Sequence, residues 1–180
     1  MKVTESPLKG LQIIQPDVFE DNRGYFFESY NFEKFHSNGV SHQFVQDNQS
    51  LSQKGVLRGL HFQNPPFAQG KLVRVIKGSV LDISVDIRKD SITYGQHFAF
   101  ELNEENKSML FIPPGFAHGF LTLADNTIFF YKCTNYYNKA SEDTLLWNDN
   151  TLNIDWKIEN PIISEKDKEG KAFHSFVSLF

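Results

Sequence analysis

Short apolar runs recur along the whole chain, and turn-forming residues separate them. The runs are LQIIQPDVF, YFFESY, HQFVQDN, VLRGLHFQ, KLVRVIKG, VLDISVDI, QHFAFEL, MLFIPPGF, HGFLTLA and TIFFYKCTNYY. The intervening turns include Asp21-Asn22-Arg23-Gly24, Lys77-Gly78-Ser79 and Pro113-Pro114-Gly115. Strands at such intervals, without long helices between them, are typical of an antiparallel sandwich or barrel rather than of βαβ units. The chain is therefore predicted to be mainly β.

Two short segments have a helical pattern instead. Asn31 is a suitable N-cap for a helix that ends at Ser37, and a helical turn is predicted near Ser164–Asp167. The segment from Glu142 to Phe180 is more polar and contains both tryptophans of the chain. We expect one domain over residues 1–180, in which residues 142–180 form a C-terminal extension that packs back on the barrel.

Composition narrows the class of protein. The chain has 180 residues, 40% of them hydrophobic and 22% charged, as in an ordinary globular domain. A net charge of −4 argues against a nucleic-acid partner, and the single cysteine, Cys133, has no partner for an internal disulfide. The opening residues lack the apolar core of a signal peptide, and no run approaches about 18 apolar residues. A cytoplasmic protein without a membrane partner is expected.

The run VLRGLHFQ carries an arginine and a histidine inside a predicted strand. Arg58 and His61 have opposite parity, so a regular strand would point them to opposite faces. Gly59 lies between them, and a β-bulge at this glycine would bring both side chains to one face. We predict that bulge, and a barrel mouth as the place where the charged side chains meet.

Histidines in a β barrel raise the alternative of a metal site. A mononuclear site usually takes about three protein ligands, and barrels often supply two of them as His-x-His. Here that position reads His61-Phe62-Gln63, and no glutamate follows closely. His118 offers a second imidazole, but the remaining histidines are scattered, so the pattern does not favour metal catalysis.

Proton transfer next to a carbonyl needs a different set of groups. A neutral histidine is a usable base at cellular pH, and a carboxylate can fix its tautomer. An ammonium group can stabilise the enolate oxygen, and a tyrosine hydroxyl can act as an acid on the opposite face of the carbon. The chain offers all four groups, in His61, Asp167, Lys71 and Tyr131, although composition alone does not bring them together.

Long motifs in the chain carry a family resemblance. They are RGYFFESYN, FVQDNQSLSQKGVLRGLHFQ, QGKLVRVIKGSVLDISVDIRKDS, IPPGFAHGF, FFYKCTNYYN and SEKD, in order from about residue 8 to residue 168. In these motifs the chain resembles the dTDP-4-dehydrorhamnose 3,5-epimerase family. The resemblance implies a cupin-like jelly-roll barrel, a homodimer, and no metal or organic cofactor. It also implies a dTDP-4-keto-6-deoxyhexose substrate inverted at C3 and C5, on the route to dTDP-L-rhamnose.

The resemblance also implies roles for individual residues. His61 matches the catalytic base, Asp167 its carboxylate partner, Lys71 the lysine near the keto oxygen, and Tyr131 the acid. The implied substrate-binding positions are Arg23, Glu28, Gln46, Asp47, Asn48, Arg58, His118, Glu142, Lys166 and Tyr137, the last as the aromatic that stacks on thymine.

Without the resemblance, the same residues have simpler explanations. Lys71 and Arg74 would be solvated charges on a strand, Tyr131 a core residue, and Asp167 a surface carboxylate in a charge-rich segment. Arg74, Asp82 and Asp86 keep a structural interpretation in any case.

Some positions depart from the family pattern. They are Phe111, Ile92, Lys157 and the loop at residues 64–67. They leave the shape of the sugar pocket open, so a C3-only epimerase stays an alternative. Two alternatives from other classes are a metal-dependent cupin and a non-catalytic sugar-nucleotide-binding cupin.

Overall fold

The computed structural model describes residues 1–180, and strands dominate it. The strands are β1 (Lys2–Glu5), β2 (Gln12–Gln15), β3 (Val18–Asp21), β4 (Gly24–Phe27), β5 (Gln46–Ser52), β6 (Leu57–Gln63), β7 (Lys71–Lys77), β8 (Ser79–Asp86), β9 (His97–Asn103), β10 (Met109–Ile112), β11 (Phe116–Thr122), β12 (Thr127–Cys133) and β13 (Glu142–Thr144). The helices are α1 (Phe32–Ser37), α2 (Glu165–Lys168) and a 3-10 turn at Phe173–Ser175. The prediction of a mainly β chain is confirmed. None of the helices is both long and apolar enough to cross a membrane.

Two antiparallel sheets face each other in a jelly-roll barrel. One sheet has six strands in the order β1-β2-β10-β7-β12-β5, and the other has five in the order β13-β6-β11-β8-β9. Strands β3 and β4 form a separate two-stranded hairpin. Neighbouring strands in each sheet come from distant parts of the chain. The first residues of β5 and β7 and the last residues of β6 and β12 meet at one end of the barrel.

The buried apolar side chains form three clusters. The cluster between the two sheets includes Val73, Val80, Leu110, Phe120 and Phe129. A second cluster lies on the outer side of the five-stranded sheet, under the C-terminal segment. A third covers the outer side of the six-stranded sheet and includes Phe35 of α1. Both sheets are therefore covered on their two faces.

Strand β8 illustrates how these layers use a two-residue period. Ile83 and Val85 pack in the outer cluster, whereas Asp82, Ser84 and Asp86 face the inside of the barrel and are completely buried. The sequence pattern separated these two faces correctly. The C-terminal segment covers the apolar face of β8, and the polar face lies inside the barrel.

The predicted bulge lies at Gly59. His118 pairs with His61 and Phe120 pairs with Arg58, so two residues of β6 stand opposite the single residue Gly119. Gly59 has φ +130°, and a Cβ atom there would lie 2.4 Å from the Cα of Gly119. Only glycine fits this close approach of two backbones. The prediction is confirmed, and the shifted phase turns Arg58 and His61 to the same cavity.

Both predicted helical segments are also confirmed. Asn31 caps α1 by accepting a hydrogen bond from the backbone N–H of Lys34 at 3.2 Å. Ser164 caps α2 by accepting from the backbone N–H of Asp167 at 3.2 Å. The second cap fixes the start of the helix that carries Asp167.

The C-terminal segment contributes to the outer layer of the five-stranded sheet. Leu152, Trp156 and Phe176 are buried there against the strands. The indole N–H of Trp156 donates to the backbone carbonyl of Trp147 at 2.8 Å. This segment places α2 next to β6, so Asp167 can bond Gly59 and His61 of that strand.

Candidate active site

A polar cavity opens at the end of the barrel where β5, β6, β7 and β12 meet. Its volume is about 390 Å³, and a compartment of about 260 Å³ adjoins it. Asn48, His61, Lys71 and Tyr131 line both spaces, so they stand where the two compartments meet. Volumes of this order suit a small-molecule ligand.

His61 is paired with a buried carboxylate. Its Nε2 lies 2.6 Å from Oδ1 of Asp167, whose side chain is 3% exposed. The other oxygen of Asp167 accepts a hydrogen bond from the backbone N–H of Gly59 at 3.3 Å. Burial opposes ionisation of Asp167, but the hydrogen bonds from His61 and Gly59 hold its pKa below the ordinary value. The carboxylate is therefore charged at neutral pH and holds the imidazole in place.

Lys71 and Tyr131 lie on the neighbouring strands β7 and β12 and line the same cavity as His61. The ammonium of Lys71 lies 5.9 Å from the centre of the Tyr131 ring. Desolvation lowers the pKa of Lys71 and outweighs the opposing attraction of Cys133, Asp82 and Glu142. Burial raises the pKa of Tyr131 to about 12, so its hydroxyl keeps its proton at neutral pH. This arrangement provides a base, a cation and an acid around one space.

The adjoining compartment contains a second histidine and an arginine. His118 Nε2 lies 2.8 Å from Oδ2 of the completely buried Asp82. Burial lowers the pKa of His118, although Asp82 acts in the opposite direction. The lowered pKa keeps the imidazole neutral. Arg58 donates through Nε to the hydroxyl of Ser52 at 3.2 Å. Its guanidinium is thereby oriented along the wall of the compartment.

At the mouth of the cavity, Glu142 links two further predicted residues. Its carboxylate accepts from the hydroxyl of Tyr137 at 3.0 Å and pairs with Lys166 at 2.5 Å. Burial opposes ionisation of Glu142, but these two contacts bring its pKa below the ordinary value. The ring of Tyr137 is half exposed, so one of its faces is open to a ligand.

Three of the predicted binding residues do not reach the cavity with their side chains. Arg23 is exposed on the β3–β4 hairpin and pairs with Asp21 at 2.5 Å. Glu28 pairs with Lys34 at 2.7 Å, close to α1. Asp47 points to the outer side of β5, where it pairs with Lys132 at 2.7 Å. The remaining predicted residues line the two compartments or, in Asp167 and Lys166, contact residues that do.

The cavity also has walls that the predicted set did not include. They are Phe62, Gln63, Gln69 and Cys133. Gln63 and Cys133 follow His61 and Tyr131 by two residues on the same strands, so a two-residue period would have indicated them. Gln69 lies in a loop, where no periodic signal exists.

The cavity does not contain a cluster of metal ligands. Nowhere in the chain do three or more histidine, cysteine, aspartate or glutamate side chains come together as ligands for one ion. His61 and His118 are each committed through Nε2 to a separate aspartate.

Comparisons with known proteins match this chain to one family. A model of the dTDP-4-dehydrorhamnose 3,5-epimerase family matches residues 5–175. The chain is 49% identical over 174 residues to the dTDP-4-dehydrorhamnose 3,5-epimerase of Shigella flexneri, covering 96% of each protein.

Solved structures give the same result. The crystal structure of dTDP-4-dehydrorhamnose 3,5-epimerase from Elizabethkingia anophelis is 50% identical, has a TM-score of 0.92 and covers 97% of each chain. That of dTDP-6-deoxy-D-glucose-3,5-epimerase from Legionella pneumophila, in complex with dTDP-4-keto-L-rhamnose, is 43% identical with a TM-score of 0.93. It covers 98% of this chain and 94% of its own.

Proposed function

Because this chain belongs to the dTDP-4-dehydrorhamnose 3,5-epimerase family, we propose that it epimerises dTDP-4-dehydro-6-deoxy-D-glucose at C3 and C5 to dTDP-4-dehydro-L-rhamnose. One observation carries the proposal. The His61–Asp167 pair, Lys71 and Tyr131 border a single cavity, which is the set of groups that proton exchange next to a carbonyl needs.

The first proposed step is removal of a proton from the carbon next to the C4 keto group. The Nε2–H group of His61 donates a hydrogen bond to Asp167 and keeps its proton, which leaves the lone pair on Nδ1 as the base. The electron pair of the broken C–H bond moves to the C4 oxygen and forms an enolate. Asp167 stabilises the imidazolium that results.

Lys71 is the proposed counter-charge for the enolate. Its side chain makes no hydrogen bond or ion pair within the chain, and its closest aromatic contact is the ring of Tyr131. An ammonium held in place before the reaction stabilises negative charge as it develops, without reorganisation of solvent. The pKa of Lys71 is lowered because desolvation outweighs the attraction of the more distant Asp82 and Glu142, and no carboxylate contacts the ammonium directly.

Tyr131 is the proposed acid for inversion. A hydroxyl with a pKa of about 12 is protonated at neutral pH and can deliver that proton to the carbon. Delivery to the face opposite His61 inverts the centre. Solvent then returns the imidazolium and the phenolate to their starting states.

The remaining cavity residues suit the nucleotide part of the substrate. Arg58 offers a planar guanidinium for two phosphate oxygens. Tyr137 offers an exposed ring face for thymine, a stacking contact of about 1–3 kcal/mol. Gln46, Asn48, His118, Glu142 and Lys166 are assigned to substrate binding with them.

We further propose a homodimer. Arg23 and Glu28 are assigned to substrate binding, yet both lie outside the cavity of their own chain. The hairpin that carries Arg23 also exposes Phe19, Tyr25 and Phe26, which are 66%, 56% and 69% exposed. An apolar hairpin of this kind suits an isologous contact in which each copy completes the other's site. A monomer mass in light scattering at micromolar concentration would count against it.

The domain assignment and the location also remain proposals. Because Glu142 and Asp167 both come from residues 142–180, we treat that extension as part of one catalytic domain. A cytoplasmic location stays a prediction, which cell fractionation tests.

The deciding experiment is exchange in heavy water, followed by NMR. Wild-type protein treated with a chelator is expected to introduce deuterium at C3 and C5 of the substrate. His61→Asn is expected to abolish exchange, whereas the exposed control His174→Asn is expected to match wild type.

Each other result selects an alternative. Deuterium at C3 alone would indicate the C3-only epimerase. Tight binding without exchange would indicate a binding module, and activity that needs added metal would indicate a metal-dependent cupin.

A further inference from the structure

The loop that carries Tyr137 has little regular structure of its own. Residues 134–141 join β12 to β13 without helix or strand. Within it, Asn135, Tyr136 and Tyr137 make no hydrogen bond to another backbone group. Such a loop is normally mobile, because it lacks the backbone hydrogen bonds that hold a strand or helix in place.

Three glutamine side chains take the place of those backbone hydrogen bonds. Gln69 donates to the carbonyl of Asn135 at 2.8 Å. Gln63 donates to the carbonyl of Tyr136 at 3.1 Å, and its oxygen accepts from the N–H of Asn138 at 2.7 Å. The remaining contact comes from the amide oxygen of Gln46, which accepts from the N–H of Tyr137 at 2.9 Å. Four successive residues are thus held by amides from β5, β6 and the loop before β7.

Gln63 is the central member of this set. Its side chain is almost completely buried and makes three hydrogen bonds, the third to the carbonyl of Phe67 at 2.7 Å. It also lies two residues after His61 on β6, on the same face of the strand. The same rigid strand therefore holds both the proposed base and the loop with the proposed stacking ring.

We propose that Gln63, supported by Gln46 and Gln69, is a positioning residue that fixes the ring of Tyr137 for the pyrimidine base of the substrate. The inference rests on the proposed function. A ring held in place before binding loses less conformational freedom when the base arrives, so affinity for the nucleotide increases. Gln63 acts through the loop backbone, because its amide is already bonded to backbone groups of Phe67, Tyr136 and Asn138.

A purely structural role makes a different prediction. Loss of general stability would weaken every ligand of the cavity alike. Loss of ring positioning would weaken ligands that carry a base and spare those that do not. The pair dTDP and inorganic pyrophosphate separates the two cases, because pyrophosphate lacks the base.

The test compares Gln63→Met with wild type. Methionine has a similar volume and removes all three hydrogen bonds without leaving a large cavity. The matched control is Gln53→Met, at an exposed glutamine that bonds Asn126 in a remote turn. Dissociation constants for dTDP and for pyrophosphate are measured by calorimetry, and kcat and KM by the exchange assay.

We expect Gln63→Met to weaken dTDP about tenfold and pyrophosphate by less than about twofold. KM is expected to rise with kcat nearly unchanged, and Gln53→Met is expected to match wild type. In a Tyr137→Ala background, Gln63→Met should weaken dTDP no further. Equal weakening of both ligands, no weakening of dTDP, or full additivity with Tyr137→Ala would overturn the proposal.

Two outcomes keep the inference separate from the proposed function. If wild type does not bind dTDP, the proposed substrate is wrong. If wild type binds dTDP but Tyr137→Ala binds it equally well, the ring has no stacking role, and the positioning proposal falls with it. If Gln63→Met does not fold, the same ligand comparison with Gln69→Met, which removes one hydrogen bond, decides in the same way.

Discussion

Replacing Asp167 by asparagine is expected to slow proton exchange at least about tenfold while leaving dTDP binding nearly unchanged. Asparagine has the same shape and can still occupy the buried position between His61 and the backbone N–H of Gly59. It lacks the negative charge that stabilises the imidazolium. The change therefore removes a contribution to the transition state and little of the binding surface.

The magnitude follows from the contact itself. The 2.6 Å hydrogen bond joins His61 to the carboxylate of Asp167, whose side chain is 3% exposed, so water screens the bond little. Hydrogen bonds to charged groups contribute about 1.5–3 kcal/mol, which corresponds to a factor of about 10 to 160 in rate. If the amide NH₂ turns towards His61, the proton moves to Nδ1 and the base is lost, with an effect of about 10⁴. About tenfold is therefore the lower estimate.

The assay is NMR-detected deuterium incorporation at saturating substrate, with calorimetry for dTDP. Asp149→Asn is the matched control, because Asp149 is also buried and accepts three backbone hydrogen bonds far from the cavity. It is expected to lower the melting temperature and leave exchange unchanged. A folded Asp167→Asn protein whose exchange stays within about threefold of wild type would refute the argument.

Three further predictions concern the acid, the bulge and stability in acid. Tyr131→Phe is expected to retain exchange while the yield of inverted product falls at least about tenfold, because a proton donor with a pKa of about 12 is lost. NMR of the product in heavy water measures both exchange and inversion. Gly59→Ala is expected to cost about 2–4 kcal/mol in urea unfolding, because its Cβ would collide with Gly119, whereas Gly24→Ala, with a similar φ but open space, should cost less. Burial would raise the pKa of Asp86, but five hydrogen bonds lower it to about 2. The depressed pKa adds about 2 kcal/mol of stability, present above about pH 4 and lost as the pH falls towards 2, and unfolding of Asp86→Asn should lack this pH dependence.

Much of the fold was predictable because its signals are local. Alternation of side chains marks the strands, and the caps Asn31 and Ser164 mark the two short helices. The bulge was also predictable, since Arg58 and His61 needed a phase correction and Gly59 lay between them. The order of strands in the two sheets was not, because pairing depends on contacts between distant segments.

Some residues of the candidate site could likewise be predicted from local patterns, and others could not. His61, Lys71 and Tyr131 lie on strands, where the position of a residue sets the face to which its side chain points. The structure brings the three side chains to one cavity. The glutamines that hold the 134–141 loop were missed, because an amide bonded to a loop backbone has no periodic pattern. The positions of Arg23 and Asp47 relative to the cavity also needed coordinates, since one lies on a hairpin and the other on the outward parity of β5.

The charges of the cavity explain why strands carry these ionisable groups. Both histidines already have aspartate partners, so their geometry is fixed before a ligand arrives. Lys71 alone has no partner, and desolvation has lowered its pKa. Formation of an enolate beside it would supply an anion in direct contact, so the interaction is stronger in the transition state than in the free enzyme. Lys71→Met should therefore reduce the exchange rate at saturating substrate far more than it weakens dTDP binding, and an equal loss in both would show that Lys71 only binds the ligand.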